Sequence, residues 1–194
     1  MKDMISRRLE RVREEIAKRK LDAFLVSNAV NVQYLSGFTG DDTVLLISRD
    51  KAFLVTDFRY VEQAEQEAPL FKLVRHKKGY FQRAMSIAKE RKLKRVGIEG
   101  GAMSHSTFAV LERAFKRLKL EPQKPLVEEL RMVKNAEEIS LIRAAAHCAA
   151  EAYKSTVRGI RPGMTEMDIA TDLEYRMRRL GARRGAFETI VAVN

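Results

Sequence analysis

The sequence predicts an α/β fold in which helices cover both faces of a mixed sheet, followed by the start of a second domain. Two observations predict the first domain: short apolar runs alternate with amphipathic stretches, and two of these runs are close enough to pair as a hairpin. A third observation concerns residues 126–157, where the alternation of strands and helices ends and a long helix with apolar residues on two sides begins. We therefore expect one domain over residues 1–130 and another over 131–194.

Local patterns predict each element of the first domain. Apolar residues spaced three and four apart indicate helices, and continuous apolar runs indicate buried strands. The three residues 49–51 between two such runs predict an antiparallel hairpin. Segment 28–36 is expected to be irregular or a single helical turn, and 37–42 to be a loop. The other helices are one that carries Ile5 to Ile16 on its apolar face and ends in residues 18–20, a short one that starts at residues 57–60 and is terminated by Pro69, one over 80–92, and one capped by Ser104 or Ser106 that continues to Leu118. The strands are expected over 23–26, 44–48, 52–56, 71–75 and 95–99.

The second domain begins with two helices whose first turns carry capping residues. Asn135 with Glu138, and Thr165 with Asp168, have the spacing of a capping box. A strand of period two is predicted over residues 187–193. A helix with two apolar faces and a strand without a following neighbour do not complete a domain, so we expect a larger fold that is truncated here.

Composition restricts the class of protein. The 194 residues are 45% hydrophobic, which is sufficient for a core, and no run of about 18 apolar residues predicts a membrane span. The N-terminus lacks the apolar segment of a secretory signal, and Cys148 is the single cysteine. These features predict a cytoplasmic protein without an internal disulfide.

The net charge of +11 raises the possibility of nucleic-acid binding. Basic and acidic residues are interleaved along the chain, however, and no aromatic platform or zinc-finger spacing accompanies the basic stretches. Solvated surface is therefore the favoured interpretation, and neither nucleic acid nor membrane is an expected partner.

Seven segments carry a resemblance to a known family. They are residues 21–26, 31–40 (NVQYLSGFTG), 56–64 (TDFRYVEQA), 96–99, 130–139, 160–166 and 187–192. In this order they resemble the Xaa-Pro aminopeptidase and prolidase metallopeptidases, which share the creatinase-like architecture. The resemblance covers nearly the whole chain.

The resemblance implies a ribonuclease H-like α/β N-terminal domain that mediates dimerisation and shapes the substrate cleft. It also implies a pita-bread catalytic domain with two divalent metal ions (Mn, Co or Zn), held by two Asp, one His and two Glu. Those ligands follow the stretch that matches residues 189–192, so none is expected in this chain. The implied substrates are peptides with proline at the second position, and the implied assembly is a homodimer. The chain alone is expected to be inactive.

The residues themselves agree with the expected absence of a metal site. His76, His105 and His147 lack the spacing of an HExxH helix, and His147 lies on a polar strip between Arg143 and Glu151. Cys148 has no identifiable base near it and is interpreted as a small core residue. No catalytic or metal-binding residue is therefore assigned.

The loop after Leu35 is the first candidate site. In the family this loop reaches across the dimer to the neighbouring cleft, so Phe38, Asp41 and Asp42 are candidates for lining the approach of a peptide. A carboxylate there favours the α-ammonium of a peptide by charge attraction. The alternative is a solvated turn.

The second candidate site consists of Asp57, Arg59 and Tyr60. Asp57 follows a buried strand and is suited to capping the next helix, while Arg59 is suited to a bidentate pair with a carboxylate. A structural role is favoured over a cleft or dimer contact.

Three functions follow as hypotheses. The first is the N-terminal portion of a proline-specific metallopeptidase. The second is a non-catalytic module of creatinase-like fold that binds a peptide or protein. The third, nucleic-acid binding through the basic surface, predicts an affinity that depends steeply on salt.

Overall fold

The chain divides into two units, Met1–Val133 and Lys134–Asn194. The computed structural model describes residues 2–77 and 79–192. Within these ranges no helix is both long and apolar enough to cross a bilayer.

A six-stranded sheet forms the centre of the first unit. Its strands in chain order are β1 Ala23–Val26, β2 Val44–Ser48, β3 Ala52–Thr56, β4 Lys72–Arg75, β5 Arg95–Glu99 and β6 Lys119–Gln123. The spatial order is β4-β3-β2-β1-β5-β6. Strand β2 is antiparallel to both of its neighbours, and the remaining pairs are parallel. The predicted mixed sheet and the β2–β3 hairpin are confirmed.

Helices cover both faces of this sheet. Alternating side chains divide the strands, so that Phe24 and Val26 of β1 face one core cluster and Ala23 and Leu25 face the other. The first cluster is covered by α1 Lys2–Lys18, α2 Ala29–Ser36, α3 Val61–Glu67 and α6 Val127–Met132. The second is covered by α4 Tyr80–Glu90 and α5 His105–Ala114. The predicted arrangement of helices on both faces is confirmed.

Helix α2 is longer than the irregular segment or single turn expected from the sequence. The Asn28 side chain accepts hydrogen bonds from the backbone N–H groups of Val30 and Asn31, and Gly37 ends the helix with φ 82°. A favourable residue at each end compensates for the two valines within the helix, which have low helix propensity.

The prediction for residues 115–118 was wrong. Helix α5 ends at Ala114, and Leu118 precedes β6, an edge strand that was not predicted. Pro122 makes this segment look unlike a strand, but an edge strand tolerates a proline that a central strand does not. The short helix α6 was also missed.

The second unit contains two capped helices, α7 Ala136–Gly159 and α8 Glu166–Arg179. Both predicted capping boxes are present. Thr156 of α7 donates to Asp172 of α8 at 2.8 Å, and Ala152 and Thr156 are the buried residues of α7. Burial on two sides is expected for α7, but its described residues are not buried in this way: α8 packs against it, and Leu141 remains 71% exposed.

The predicted strand over 187–193 does not form in the part of it that is described. Residues 187–192 belong to no strand, and Val193 lies outside the described residues. A strand requires hydrogen bonds from a neighbouring strand, and the second unit contains none among its described residues.

Candidate functional site

Both candidate sites lie at one corner of the first unit, where the loop 37–43 between α2 and β2 meets the end of β3. Phe38 is only 1% exposed, and its ring packs edge-on against Tyr60 with centroids 5.9 Å apart. Its side chain therefore supports the loop from the core side and does not line an open surface. Among the three loop residues singled out from sequence, only Asp41 and Asp42 face solvent.

Gly40 allows this close packing. A Cβ at position 40 would lie 2.5 Å from Phe38 Cζ and 2.8 Å from Tyr60 Cδ1. Nonbonded carbon atoms normally contact each other at about 3.5–4.0 Å, so both distances would be steric clashes. The loop backbone consequently lies directly on the two rings, and any side chain at position 40 would lift it away.

Helix α3 holds the loop from the other side. The backbone N–H of Thr39 donates to Glu67 Oε2 at 2.8 Å. Gln63 Nε2 donates to Thr39 Oγ1 at 2.9 Å and to Glu67 Oε1 at 3.1 Å. Sequence reasoning missed Gln63 and Glu67, although their i, i+4 spacing places them on one face of α3.

The base of the loop is closed by two buried threonines. Thr43 Oγ1 donates to the carbonyl oxygen of Asp41 at 2.9 Å and lies 2.9 Å from Thr56 Oγ1. Asp42 adopts a left-handed backbone conformation with φ 49°, which aspartate tolerates better than most residues. Contacts at Phe38, Thr39, Gly40 and Thr43 thus hold the loop in one conformation.

Arg59 joins the two candidate sites. Its guanidinium donates from Nε to Asp57 Oδ2 at 3.0 Å and from Nη2 to Asp42 Oδ2 at 2.7 Å. Asp57 Oδ1 also accepts the backbone N–H of Arg59 at 2.8 Å and so caps the 3₁₀ turn Phe58–Tyr60. The Arg59 guanidinium lies 5.3 Å from the centroid of the Tyr60 ring. We call Asp42, Asp57 and Arg59 the Arg59 cluster.

Charge pairing within the Arg59 cluster shifts two pKa values. Hydrogen bonding from the Arg59 side chain holds the pKa of the Asp57 carboxyl below its usual value, although burial opposes this effect. The same contact with Asp57, followed by the contact with Asp42, raises the pKa of Arg59. Asp57 and Arg59 are therefore charged at neutral pH.

Asp41 differs from its neighbour. Asp42 forms an ion pair with Arg59, whereas the Asp41 side chain has no hydrogen bond or ion pair with another described residue. Asp41 and the Arg59 cluster together carry three carboxylates against one guanidinium, which is a local negative charge on a protein of net charge +11. A fixed loop with one unpaired carboxylate is able to attract a cationic group.

A second polar network, missed by sequence reasoning, lies beneath α2. Glu99 at the end of β5 is 7% exposed, and its Oε2 accepts the backbone N–H groups of Ser27 and Asn28 at 2.6 and 2.7 Å. Its Oε1 accepts from Asn31 Nδ2 at 2.7 Å. Asn31 Oδ1 in turn accepts from Arg131 Nη1 at 2.8 Å. Every oxygen of Glu99 has a donor, so the network holds α2 and α6 on the sheet and offers no free group for chemistry.

The described residues contain no group of three or more His, Cys, Asp or Glu side chains that could hold a metal ion. His147 is exposed on α7, and Cys148 is half-buried with Sγ 3.6 Å from the carbonyl oxygen of Met177. These positions do not fit a dinuclear site, which needs several converging carboxylates.

Comparison with known families extends over both units. A family model described as the creatinase/prolidase N-terminal domain matches residues 8–133, and one described as metallopeptidase family M24 matches residues 140–194. An uncharacterised peptidase of Bacillus subtilis, YqhT, is 34% identical over 95% of this chain and 52% of its own length.

Solved structures give the same result. An Xaa-Pro dipeptidase from Bacillus anthracis superposes with a TM-score of 0.89 and 32% identity over 94% of this chain and 51% of that chain. The N-terminal domain of the cytoplasmic peptidase PepQ from Mycobacterium tuberculosis is 31% identical, with a TM-score of 0.60, over 63% of this chain and 97% of that domain. The chain spans about half the length of the curated relatives it matches.

Proposed function

The chain belongs to the creatinase/prolidase family of M24 metallopeptidases, and from this premise we propose that it is the N-terminal portion of an Xaa-Pro peptidase. The complete enzyme would hydrolyse the bond between an N-terminal residue and proline. The observation that carries the proposal is the order of the two family matches, over residues 8–133 and 140–194, which agrees with the first half of relatives named Xaa-Pro dipeptidase.

We assign the metal chemistry to the half of the relatives that this chain does not span. Two divalent ions, Mn, Co or Zn, would lower the pKa of bound water there. The first unit would mediate dimerisation and shape the peptide cleft. We place the peptidase in the cytoplasm, as the PepQ neighbour is described.

Asp41 is the residue that we propose to meet the substrate. In a homodimer whose 37–43 loop reaches the neighbouring cleft, its unpaired carboxylate would attract the α-ammonium of a peptide. Arg59 holds Asp42 at 2.7 Å and so keeps the loop backbone in position, while Phe38 and Tyr60 support it from below. Asp57 and Arg59 would then be positioning residues, and Asp41 the contact.

The first experiment measures hydrolysis. Incubation of the chain with Mn²⁺ and the dipeptide Ala-Pro should release no free proline, because the described residues offer no metal-binding group. Turnover at the rate of a complete Xaa-Pro dipeptidase would contradict the proposal.

The alternative function is a non-catalytic peptide-binding module. It is favoured by one observation, that the contacts holding the 37–43 loop all lie within the first unit. Titration of the isotope-labelled chain with Ala-Pro separates the two functions by NMR. Without the rest of the cleft, one exposed ion pair is worth about 0–1 kcal/mol, so no saturable shift is expected below roughly 10 mM.

Saturable binding at lower concentration would support the module. Asp41→Asn should then abolish the shifts of the 37–43 loop, whereas Asp3→Asn, a matched change at another exposed carboxylate on α1, should preserve them. Equal effects of the two variants would exclude the loop as the binding surface.

A further inference from the structure

A basic pocket lies on the opposite side of the sheet from α1, where α4 and α5 both end. It is lined by Lys89 of the last turn of α4, by Arg113 and Ala114 of α5, and by the turn 115–118 that leads into β6. Its volume is about 360 Å³. This lies within the range of roughly 300–1,000 Å³ that small-molecule sites occupy.

Four cations and no carboxylate line this pocket. They are Lys89, Arg113, Lys116 and Arg117. None of them has an ion pair within residues 2–77 and 79–192. Other arginines of the same unit are neutralised: Arg91 pairs with Asp50 at 2.6 Å and Arg95 with Glu121 at 2.7 Å. Four cations without an ion pair to a described residue therefore line one pocket.

The dipoles of α4 and α5 neutralise only part of this positive charge. Cations are stabilised at a helix C-terminus, and α4 and α5 both end at the pocket. Each terminus carries about half a negative charge, so two of them offset only one of the four positive charges. Roughly three positive charges remain in one cavity without a counter-charge.

We propose that this pocket binds the di- or triphosphate group of a small molecule. A single phosphate carries about 1.5–2 negative charges, so two phosphates match the excess charge of the pocket and one does not. Arg113 and Arg117 present planar guanidinium groups that bind phosphate oxygens in pairs. Half-buried Phe115 provides an apolar surface for the organic part of the ligand.

The test is an NMR titration of the full chain with inorganic pyrophosphate and with ADP at low salt. Both should give saturable amide shifts confined to Lys89 and residues 113–118, and ADP should bind about threefold or more tightly because its base has room beside Phe115. Adenosine, which lacks phosphate, should give no saturable shift. Added NaCl should weaken both anions.

Two double variants test whether the anions bind to the pocket itself or respond only to the net charge of the protein. Arg113→Gln with Arg117→Gln should weaken pyrophosphate and ADP by about tenfold. Arg7→Gln with Arg11→Gln removes the same charge from two exposed arginines, also four residues apart, on α1 and should weaken them less than about twofold. Unchanged amide shifts away from each substitution verify that the variants remain folded.

Several results would overturn the proposal. These are the absence of saturation by pyrophosphate, equal losses in the two double variants, and equal affinity for pyrophosphate and ADP. If a short DNA duplex displaces ADP and the shifts spread over the whole basic surface, the basic residues bind nucleic acid instead.

Discussion

At the scale of single residues, neighbouring identical side chains have different roles. Asp41 and Asp42 are adjacent and exposed, yet only Asp42 is bound by Arg59. The difference depends on a partner 17 positions away, which the local pattern of two consecutive aspartates does not reveal. Phe38 belongs to the same loop but is buried, because its ring packs on Tyr60, and the local sequence does not reveal this contact either.

The pKa of Asp57 gives a residue-scale prediction. Arg59→Gln removes the largest cause of the lowered pKa, so the carboxyl pKa should rise toward the ordinary value of about 3.9. Because the folded-state pKa is depressed, the pair stabilises the fold above the unfolded pKa, and this contribution is lost as pH falls through the folded value. The variant should therefore begin acid unfolding at a higher pH.

Carboxyl ¹³C titration of Asp57 provides the measurement. Arg91→Gln, which removes the ion pair with Asp50, is the matched control and should leave the Asp57 pKa unchanged. An unaltered Asp57 pKa in Arg59→Gln would contradict the assigned cause.

Glu99 gives a second residue-scale prediction. In Glu99→Gln the amide NH₂ must face either Asn31 Nδ2 or the backbone N–H groups of Ser27 and Asn28, so donor meets donor in a buried site. The expected loss is about 1–3 kcal/mol in the free energy of unfolding. Urea titration measures it, and Glu65→Gln on the exposed side of α3 should change stability by less than about 0.5 kcal/mol.

At the scale of elements, helix boundaries follow from local hydrogen bonds. Two serines lie near the start of α5 and either satisfies the sequence rule for a cap, but only Ser104 accepts the backbone N–H of Thr107, at 3.2 Å. Ser106 lies inside the helix. The choice between them follows from backbone geometry, since a cap residue must have extended dihedral angles.

This geometry predicts unequal effects of two similar variants. Ser104→Ala should cost about 1 kcal/mol and speed amide exchange at Thr107 and in the following turn of α5. Ser106→Ala should cost less, because among the described residues the Ser106 hydroxyl contacts only the Ser104 hydroxyl, at 3.0 Å, and alanine has the higher helix propensity. Hydrogen exchange of α5 distinguishes them, and a larger effect of Ser106→Ala would show that the helix begins later.

At the scale of the whole molecule, exposed apolar surface is unevenly distributed between the two units. The first unit buries two clusters on either side of its sheet, whereas the second buries only Ala152 and Thr156 of its long helix. Leu141 and Ile142 of α7 are 71% and 55% exposed. Adjacent exposed apolar side chains of this size favour association.

We therefore expect the isolated chain to self-associate through α7. Leu141→Glu with Ile142→Glu should shift the sedimentation equilibrium toward smaller species at the same protein concentration. Ser140→Glu with Arg143→Gln makes an equal change of charge on the polar strip of the same helix and should not. If both double variants dissociate the protein equally, charge repulsion and not apolar contact is the cause.

The sequence by itself determined the α/β class, five of the six strands, and both capping boxes of the second unit. These features depend on apolar periodicity or on residues three positions apart, which a local pattern records. Only the tertiary structure decided which aspartate Arg59 binds, that Phe38 is buried, that β6 forms an edge strand, and that Glu99 meets Asn31 across 68 residues of chain. Such contacts form when distant segments are brought together by packing, and no local spacing specifies them.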